Sequence, residues 1–200
     1  VESFCCRKKI TIKYYRSDKK MVEMRRKDRE MDEKFAYGVI DKAEYGTLAT
    51  INEDNTPYCI PISYIRYENK IYIHSAFQGT KINNIKANNR VTMSFVGNTN
   101  IPFPDPEASV GMKESDVFTT EFESAIITGT ANFVDDEEEK LLVLRLLCEK
   151  HCPNNMQFFE GAAKPALKIT CVIRVDIEDI KGKRKKYDSN KQEMKWGKLE

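Results

Sequence analysis

The sequence predicts a mainly β fold, a six-stranded antiparallel β-barrel with flanking helices, and three observations carry that expectation. Six segments have strand character: Thr47 to Ile51, Pro57 to Tyr67, Ile71 to Ser75, Val91 to Val96, Phe122 to about Val134, and an alternating run from Leu167 to Ile177. Short turns join the first three, through Glu53-Asp54-Asn55-Thr56 and Glu68-Asn69-Lys70. Antiparallel pairing allows this, whereas parallel pairing needs a crossover of a dozen residues or more. Helical periodicity is confined to three short stretches, so a doubly wound parallel sheet, with a helix after nearly every strand, is disfavoured.

In chain order, Asp32 stands where it can cap a helix whose apolar positions Phe35, Ala36, Val39, Ile40 and Ala43 recur at helical spacing, and Gly46 ends it. After the strand Thr47 to Ile51, the run Pro57 to Tyr67 reads as one longer strand with Ile60, Ile62 and Tyr64 on a common face. The strand Ile71 to Ser75 leads into a helix from about Thr80 to Ala87, with Ile82 and Ile85 as its buried stripe and Asn88-Asn89 as its stop. Between Gly97 and Phe118, prolines at 102, 104 and 106 describe a long loop. The strand that follows can bend at Gly129. A further helix opens on the acidic Asp135 to Glu139, runs through the apolar Leu141 to Cys148 and leaves at Pro153. In the last strand, Leu167, Ile169, Cys171, Ile173, Val175 and Ile177 alternate with polar residues, broken only by Val172, which gives one wet face.

Two hundred residues with 40% hydrophobic side chains support one well-cored domain. We expect that domain at residues 25–182, preceded by an N-terminal extension at 1–24 and followed by a basic C-terminal tail at 183–200. The net charge of +2 hides a segregated pattern. Residues 1–34 hold 12 Lys/Arg against 7 Asp/Glu and residues 181–200 hold 8 against 3, so each end is +5 and the stretch between them is −8. An acidic core argues against duplex nucleic acid as a partner, and basic tails such as the Tyr14-Tyr15 stretch read as solvated ends. The six cysteines show no disulfide framework. No 18-residue apolar run and no secretory h-region occur, so a reducing cytoplasm is the expected location, with no membrane partner. Met21 or Met24 is the expected natural start.

The most suggestive stretch is IYIHSAFQGTK, residues 71–81. A strand delivers His74 and Ser75 to its end, Gly79 permits close backbone approach, and Thr80 and Lys81 open a helix whose free N–H groups favour an anion. It has neither the GxxxxGK[ST] nor the GxGxxG spacing, which points away from nucleoside triphosphates and dinucleotides and toward a cofactor with one phosphate.

With that segment, YGTLATIN at residues 45–52, TPYCIPISYIRYENKIYIHSAFQGTKINNI at 56–85 and FTTEFESAIITGTANFV at 118–134 resemble the flavin mononucleotide-binding split-barrel family. More narrowly, the chain is similar to the pyridoxamine 5'-phosphate oxidase-like branch that includes the nitroimidazole-resistance proteins. The likeness spans roughly residues 25–182, and the middle segment is the specific one. It implies a six-stranded split barrel that forms a homodimer with FMN at the subunit interface. By the same resemblance Ile62, Ser63 and Tyr64 border the flavin ring through backbone groups, and Ser75, Gly79, Thr80 and Lys81 hold the phosphate. Thr47 and the stretch 121–124 lie near the site, and His74 contacts substrate or donates a proton. The implied activity is an FMN-dependent oxidoreductase acting on a small-molecule substrate, plausibly an electron-poor nitroaromatic, with NADH or NADPH as a possible electron donor.

Other readings stand beside these. Lys81 can be a solvated helix lysine, and His74 can serve only as a hydrogen-bonded residue of a barrel wall. Cys148, His151 and Cys152 share a helical face, yet three soft ligands at a helix end fall short of a structural zinc site, so no metal is expected. Trp196 docks on the barrel, lies near the flavin of a partner subunit, or faces solvent. A non-catalytic flavin- or haem-binding protein, and a pyridoxamine-phosphate-oxidase-type oxidase, are the alternative functions. The oxidase is disfavoured by the ending KKYDSNKQEMKWGKLE, which has one tryptophan and no arginine after Arg184.

Overall fold

The structure is a computed structural model and describes residues 23–195. The N-terminal residues that carry Met21, and Trp196 at the other end, lie outside the described residues. A 3-10 turn at Lys27–Arg29 precedes β1 (Glu30–Met31) and α1 (Glu33–Lys42). Then follow β2 (Gly46–Ile51), β3 (Pro57–Ile62), β4 (Ile65–Tyr67), β5 (Lys70–Ser75), α2 (Thr80–Ala87), β6 (Arg90–Asn100), α3 (Glu114–Val117), β7 (Glu121–Phe133), α4 (Glu137–His151), α5 (Phe159–Ile169) and β8 (Cys171–Lys185).

All strand pairs are antiparallel, in the order β3-β2-β6-β7-β8-β5-β4, with β1 added to the far end of β8. The sheet curls around α1 and the inner side chains without closing: β3 and β4 are its two edges. The fold is therefore an antiparallel split barrel with flanking helices, as expected, with eight strands in place of six. Two departures account for the difference. Strand β1 is a two-residue addition that no periodicity announces, and the expected single strand Pro57 to Tyr67 is cut at Ser63–Tyr64.

Tyr64 explains the cut. Its side chain is 0% exposed, its hydroxyl reaches the main-chain carbonyls of Ile40 and Ala43 at the end of α1, and its ring meets Phe95 edge-on at 4.7 Å. Bringing a phenol to unpaired helix carbonyls satisfies groups that would otherwise be buried without partners. The chain leaves one sheet edge to do so and re-enters on the other as β4.

The other corrections also have tertiary causes. Alternation from Leu167 suggests a strand there, yet residues 159–169 are helical and carry Pro165. Burial of Phe159 and Ala163 near α4, with Arg145 stacked 4.5 Å over the Phe159 ring, outweighs the local signal. The expected loop from Gly97 begins only after Asn100, because β6 continues past a bulge to pair Asn100 with Glu121, and α3 interrupts it. Strand β8 runs to Lys185, beyond the expected boundary at 182, and Glu193 in the expected tail pairs with Arg29. Val172 breaks the alternation of β8 because that position faces α4, where it forms a second small core with Tyr72, Val134 and Val143.

Several local expectations hold. Asp32 accepts from the Phe35 N–H at 2.7 Å as the cap of α1. The β7–β8 register shifts between Thr128 and Gly129. A Cβ at Gly129 would stand 2.2 Å from the Asp176 carbonyl oxygen, so the bulge needs glycine.

The sheet has one unusual surface. Leu48, Met93, Phe95, Ala125 and Ile127 face the core. Away from the exposed Arg90 that opens β6 and pairs with Glu178, the outward positions are Thr47, Ala49 and Ile51 of β2, Pro57, Cys59 and Pro61 of β3, Thr92, Ser94 and Val96 of β6, and Ser124, Ile126 and Thr128 of β7. In a chain that is 32% charged, none of these twelve carries charge.

Candidate functional site

Strand β5 ends inside the molecule. Ile71, Ile73 and Ser75 alternate inward, and Ser75 is 8% exposed. Its Oγ is buried without any hydrogen-bond partner, an uncommon state for a hydroxyl and a costly one. Four residues on, Gly79 takes φ 123°, a conformation that side-chain-bearing residues rarely adopt, and a Cβ there would meet nothing within 4 Å. The space over this turn is open.

Helix α2 starts immediately after Gly79, and no side chain caps it. The Thr80 and Lys81 amides therefore stand at the positive end of the helix dipole without a capping acceptor, while the Ile82 and Asn83 amides donate to the Gly79 carbonyl. Thr80 is exposed and Lys81 half-buried in that first turn. Across the ladder Ser75 pairs with Cys171. Burial pushes the Cys171 thiol up; the ammonium groups of Lys140, Lys81 and Lys86 pull it the other way, and the Asp135 carboxylate adds to the rise. Lys86 and Lys140 were not singled out by sequence. They lie in the last turn of α2 and near the start of α4. A dianion needs a cation, N–H donors and a hydroxyl, and the stretch from Ser75 to Lys81 carries all three. The residues present fit a phosphate.

His74 points away from Ser75, toward solvent, and pairs in the ladder with Val172. Partial desolvation of the ring, and then the charges of Lys81 and His151, hold its pKa below the ordinary histidine value. The imidazole is neutral at neutral pH, with one N–H to donate and one lone pair to accept.

The Ser63–Tyr64 break lies next to this point, since Ile65 pairs with Tyr72 two residues before His74. Ile62 closes β3 opposite Gly46, and Ser63 is half-buried. Tyr64 offers only its main chain, because its side chain is committed to the core. Even the Tyr64 carbonyl is taken, accepting from His151 Nε2 at 2.9 Å. That bond requires the Nε2–H form of His151. His151, weighed from sequence only as a metal ligand, thus braces the edge expected beside a flavin ring. Lys150, its neighbour on α4, lies 4.0 Å over the Tyr64 ring. Among the described residues no cluster of metal ligands occurs.

Not every expected residue joins this group within one chain. Thr47 is exposed on the outer face of β2 and pairs with Pro61, whereas the Ser75 hydroxyl points inward. Glu121 and Glu123 sit at the start of β7, bound to Asn100 and Asn98, while the Ser75 end of the sheet lies near Phe133 at the other end of that strand. Among the described residues no helix is long and apolar enough to cross a membrane.

Similar folds occur among solved structures. A candidate 5-nitroimidazole antibiotic resistance protein of Bacteroides thetaiotaomicron superposes with TM-score 0.63 at 20% identity, covering 78% of this chain and 86% of its own. A flavocytochrome from Azotobacter vinelandii reaches 0.67 at 15% identity, covering 88% and 79%. An FAD- and haem-binding protein from Mycobacterium smegmatis reaches 0.64 at 14%, covering 78% and 73%. At these identities the likeness establishes the fold. No curated protein sequence matches the chain. The sequence model of the pyridoxamine 5'-phosphate oxidase family matches residues 32–184, which takes in the split barrel, the Ser75–Lys81 turn and both histidines. The chain therefore belongs to the pyridoxamine 5'-phosphate oxidase family of flavin-binding split barrels.

Proposed function

We propose that this protein is a homodimeric FMN-dependent oxidoreductase that reduces small electron-poor acceptors such as nitroimidazoles, with NADH or NADPH as donor. One observation carries the cofactor assignment: the Ser75 hydroxyl, buried without a partner at the end of β5, four residues before the open turn where α2 begins beside Lys81. The Ser75 Oγ–H would donate to a phosphate oxygen, the Thr80 and Lys81 amides would donate from the helix end, and the Lys81 ammonium would balance charge. Ile62 and Ser63 would meet the ring through main-chain groups, with Tyr64 held in place by His151.

Bound flavin supplies the electron transfer itself. The chain's own task is to orient it and to manage protons. Neutral His74, at the solvent-reaching side of the site, can donate a hydrogen bond or a proton to a polar acceptor group and recover it from water.

The homodimer reading is supported by the uncharged twelve-residue patch on the outer face of β3, β2, β6 and β7, bordered by Arg90. Depletion of charge across a continuous patch marks the core of an interface and not a solvated sheet. Thr47 belongs to that patch, and its expected place near a flavin requires a site shared between subunits. The thiols of Cys59, Cys148, Cys152 and Cys171 are unpaired, which agrees with a cytoplasmic location.

The visible spectrum of the purified protein, followed by anaerobic addition of NADH or NADPH and then of a nitroimidazole, tests the proposal. Flavin bands that bleach with donor and return with acceptor are expected. Flavin that no donor bleaches would sink the reductase reading. A haem Soret band lost on His74→Ala would favour a non-catalytic binding protein, a reading kept because two of the similar structures are a flavocytochrome and an FAD- and haem-binding protein. Oxidation of pyridoxamine phosphate by dioxygen in place of nitroimidazole reduction would return the protein to oxidase chemistry.

A further inference from the structure

Helix α2 has only two turns, too few to hold its own axis in water, so its orientation must be set by what it packs on. Buried Ile82 and Ile85 grip the core, but apolar contacts are non-directional and leave the helix free to roll. A directional restraint lies between them. Asn84 is 3% exposed, and its side-chain amide donates at 3.0 Å to Thr50 Oγ1 and at 2.7 Å to Asn52 Oδ1.

Both acceptors are themselves fixed. Thr50 is 2% exposed on the inner face of β2. Asn52 is locked into the β2–β3 turn, its Nδ2 donating at 3.0 Å to Thr56 Oγ1 and its main-chain N–H at 2.9 Å to the Thr56 carbonyl. Along α2, Asn84 stands three residues after Lys81 and four after Thr80, so it shares their side of the helix. For stability alone, apolar residues of the same shape would serve about as well as this buried polar pair.

We infer that Asn84 is a positioning residue for the anion cradle: its two bonds to the β2–β3 hairpin fix the roll of α2 and so aim the Thr80 and Lys81 donors at the Ser75 hydroxyl. This rests on the proposal that the cradle holds the cofactor's phosphate.

FMN and riboflavin share ring and ribityl chain and differ in the phosphate, so the ratio of their dissociation constants reads the cradle alone. With Asn84→Ala, FMN binding is expected to weaken about tenfold or more while riboflavin changes less than about twofold, the scale of one hydrogen bond to a charged partner. Thr50→Val, which keeps shape and removes one acceptor, is expected to lower the ratio about threefold. Ile85→Val loosens the same helix without touching a directional bond and leaves the ratio unchanged. Equal weakening of both ligands by Asn84→Ala, or an equal change of ratio in Ile85→Val, overturns the inference. Where Asn84→Ala fails to fold, Thr50→Val decides, and an unchanged ratio there overturns it. A wild-type ratio near one, or a wild-type protein that binds neither compound, overturns the phosphate reading and this inference together. A high wild-type ratio that Asn84→Ala leaves intact overturns only the role of Asn84.

Discussion

Replacing Ser75 with alanine should move stability and ligand affinity in opposite directions. In the free protein the Ser75 hydroxyl is buried with no partner, a state that costs about 1–3 kcal/mol. Alanine removes the hydroxyl and little else, since Cβ keeps its place in the inner face of β5. The flavin-free variant should therefore be more stable by about 1 kcal/mol, a rise in Tm of roughly 2–4 °C for a chain of this size. With FMN bound, the same hydroxyl donates to a charged oxygen, a bond worth about 1.5–3 kcal/mol, so affinity should fall by about tenfold to a hundredfold. Urea unfolding of the flavin-free protein measures the first effect, and quenching of flavin fluorescence on titration measures the second. A variant that is less stable without ligand would show that the hydroxyl already has a partner. If Ser75→Ala and Lys81→Ala both kept wild-type affinity for FMN, the phosphate assignment would be wrong.

Three more expectations follow from the geometry. Gly129→Ala drives a methyl into the Asp176 carbonyl at the β7–β8 bulge and should cost about 3 kcal/mol or more; a shift in the urea midpoint worth less than about 1 kcal/mol would mean the bulge relaxes freely. Lys81→Gln removes a cation that depresses the His74 pKa, so the NMR titration midpoint of His74 should rise; an unmoved or lower midpoint refutes the proposed field. The sign extends to stability. Because folding depresses this pKa, the His74 contribution is present above the unfolded histidine value and is lost as pH falls toward the folded one, and Lys81→Gln should flatten that slope. Ile126→Arg sets a charge on the uncharged sheet face, and sedimentation should show the dimer dissociating to monomers; a dimer of unchanged strength would place the interface elsewhere.

Where the sequence was legible, the cause of structure was local. Asp32 caps α1 because a carboxylate three residues before an N–H needs no tertiary help, and α2 spans Thr80–Ala87 as its isoleucines and stop residues indicate. The strand end, glycine and helix start of Ser75–Lys81 were legible for the same reason, lying in one short segment. Leu167 and Ile169 misled because two apolar residues two apart suit a strand or a helix, and burial of Phe159 and Ala163 decides for helix.

By itself the sequence determined the strand-rich class and most helix starts, and it offered the strand end, glycine and helix start from which the phosphate site is proposed, all set by period, capping and turn chemistry within a few residues. Tertiary structure alone decided the break at Tyr64 and the bond from His151 to the Tyr64 carbonyl. It also decided that Asn84 ties α2 to a hairpin more than thirty positions earlier. Each of these joins groups far apart in the chain. A buried polar atom takes whichever partner the fold delivers, and no local pattern records that choice.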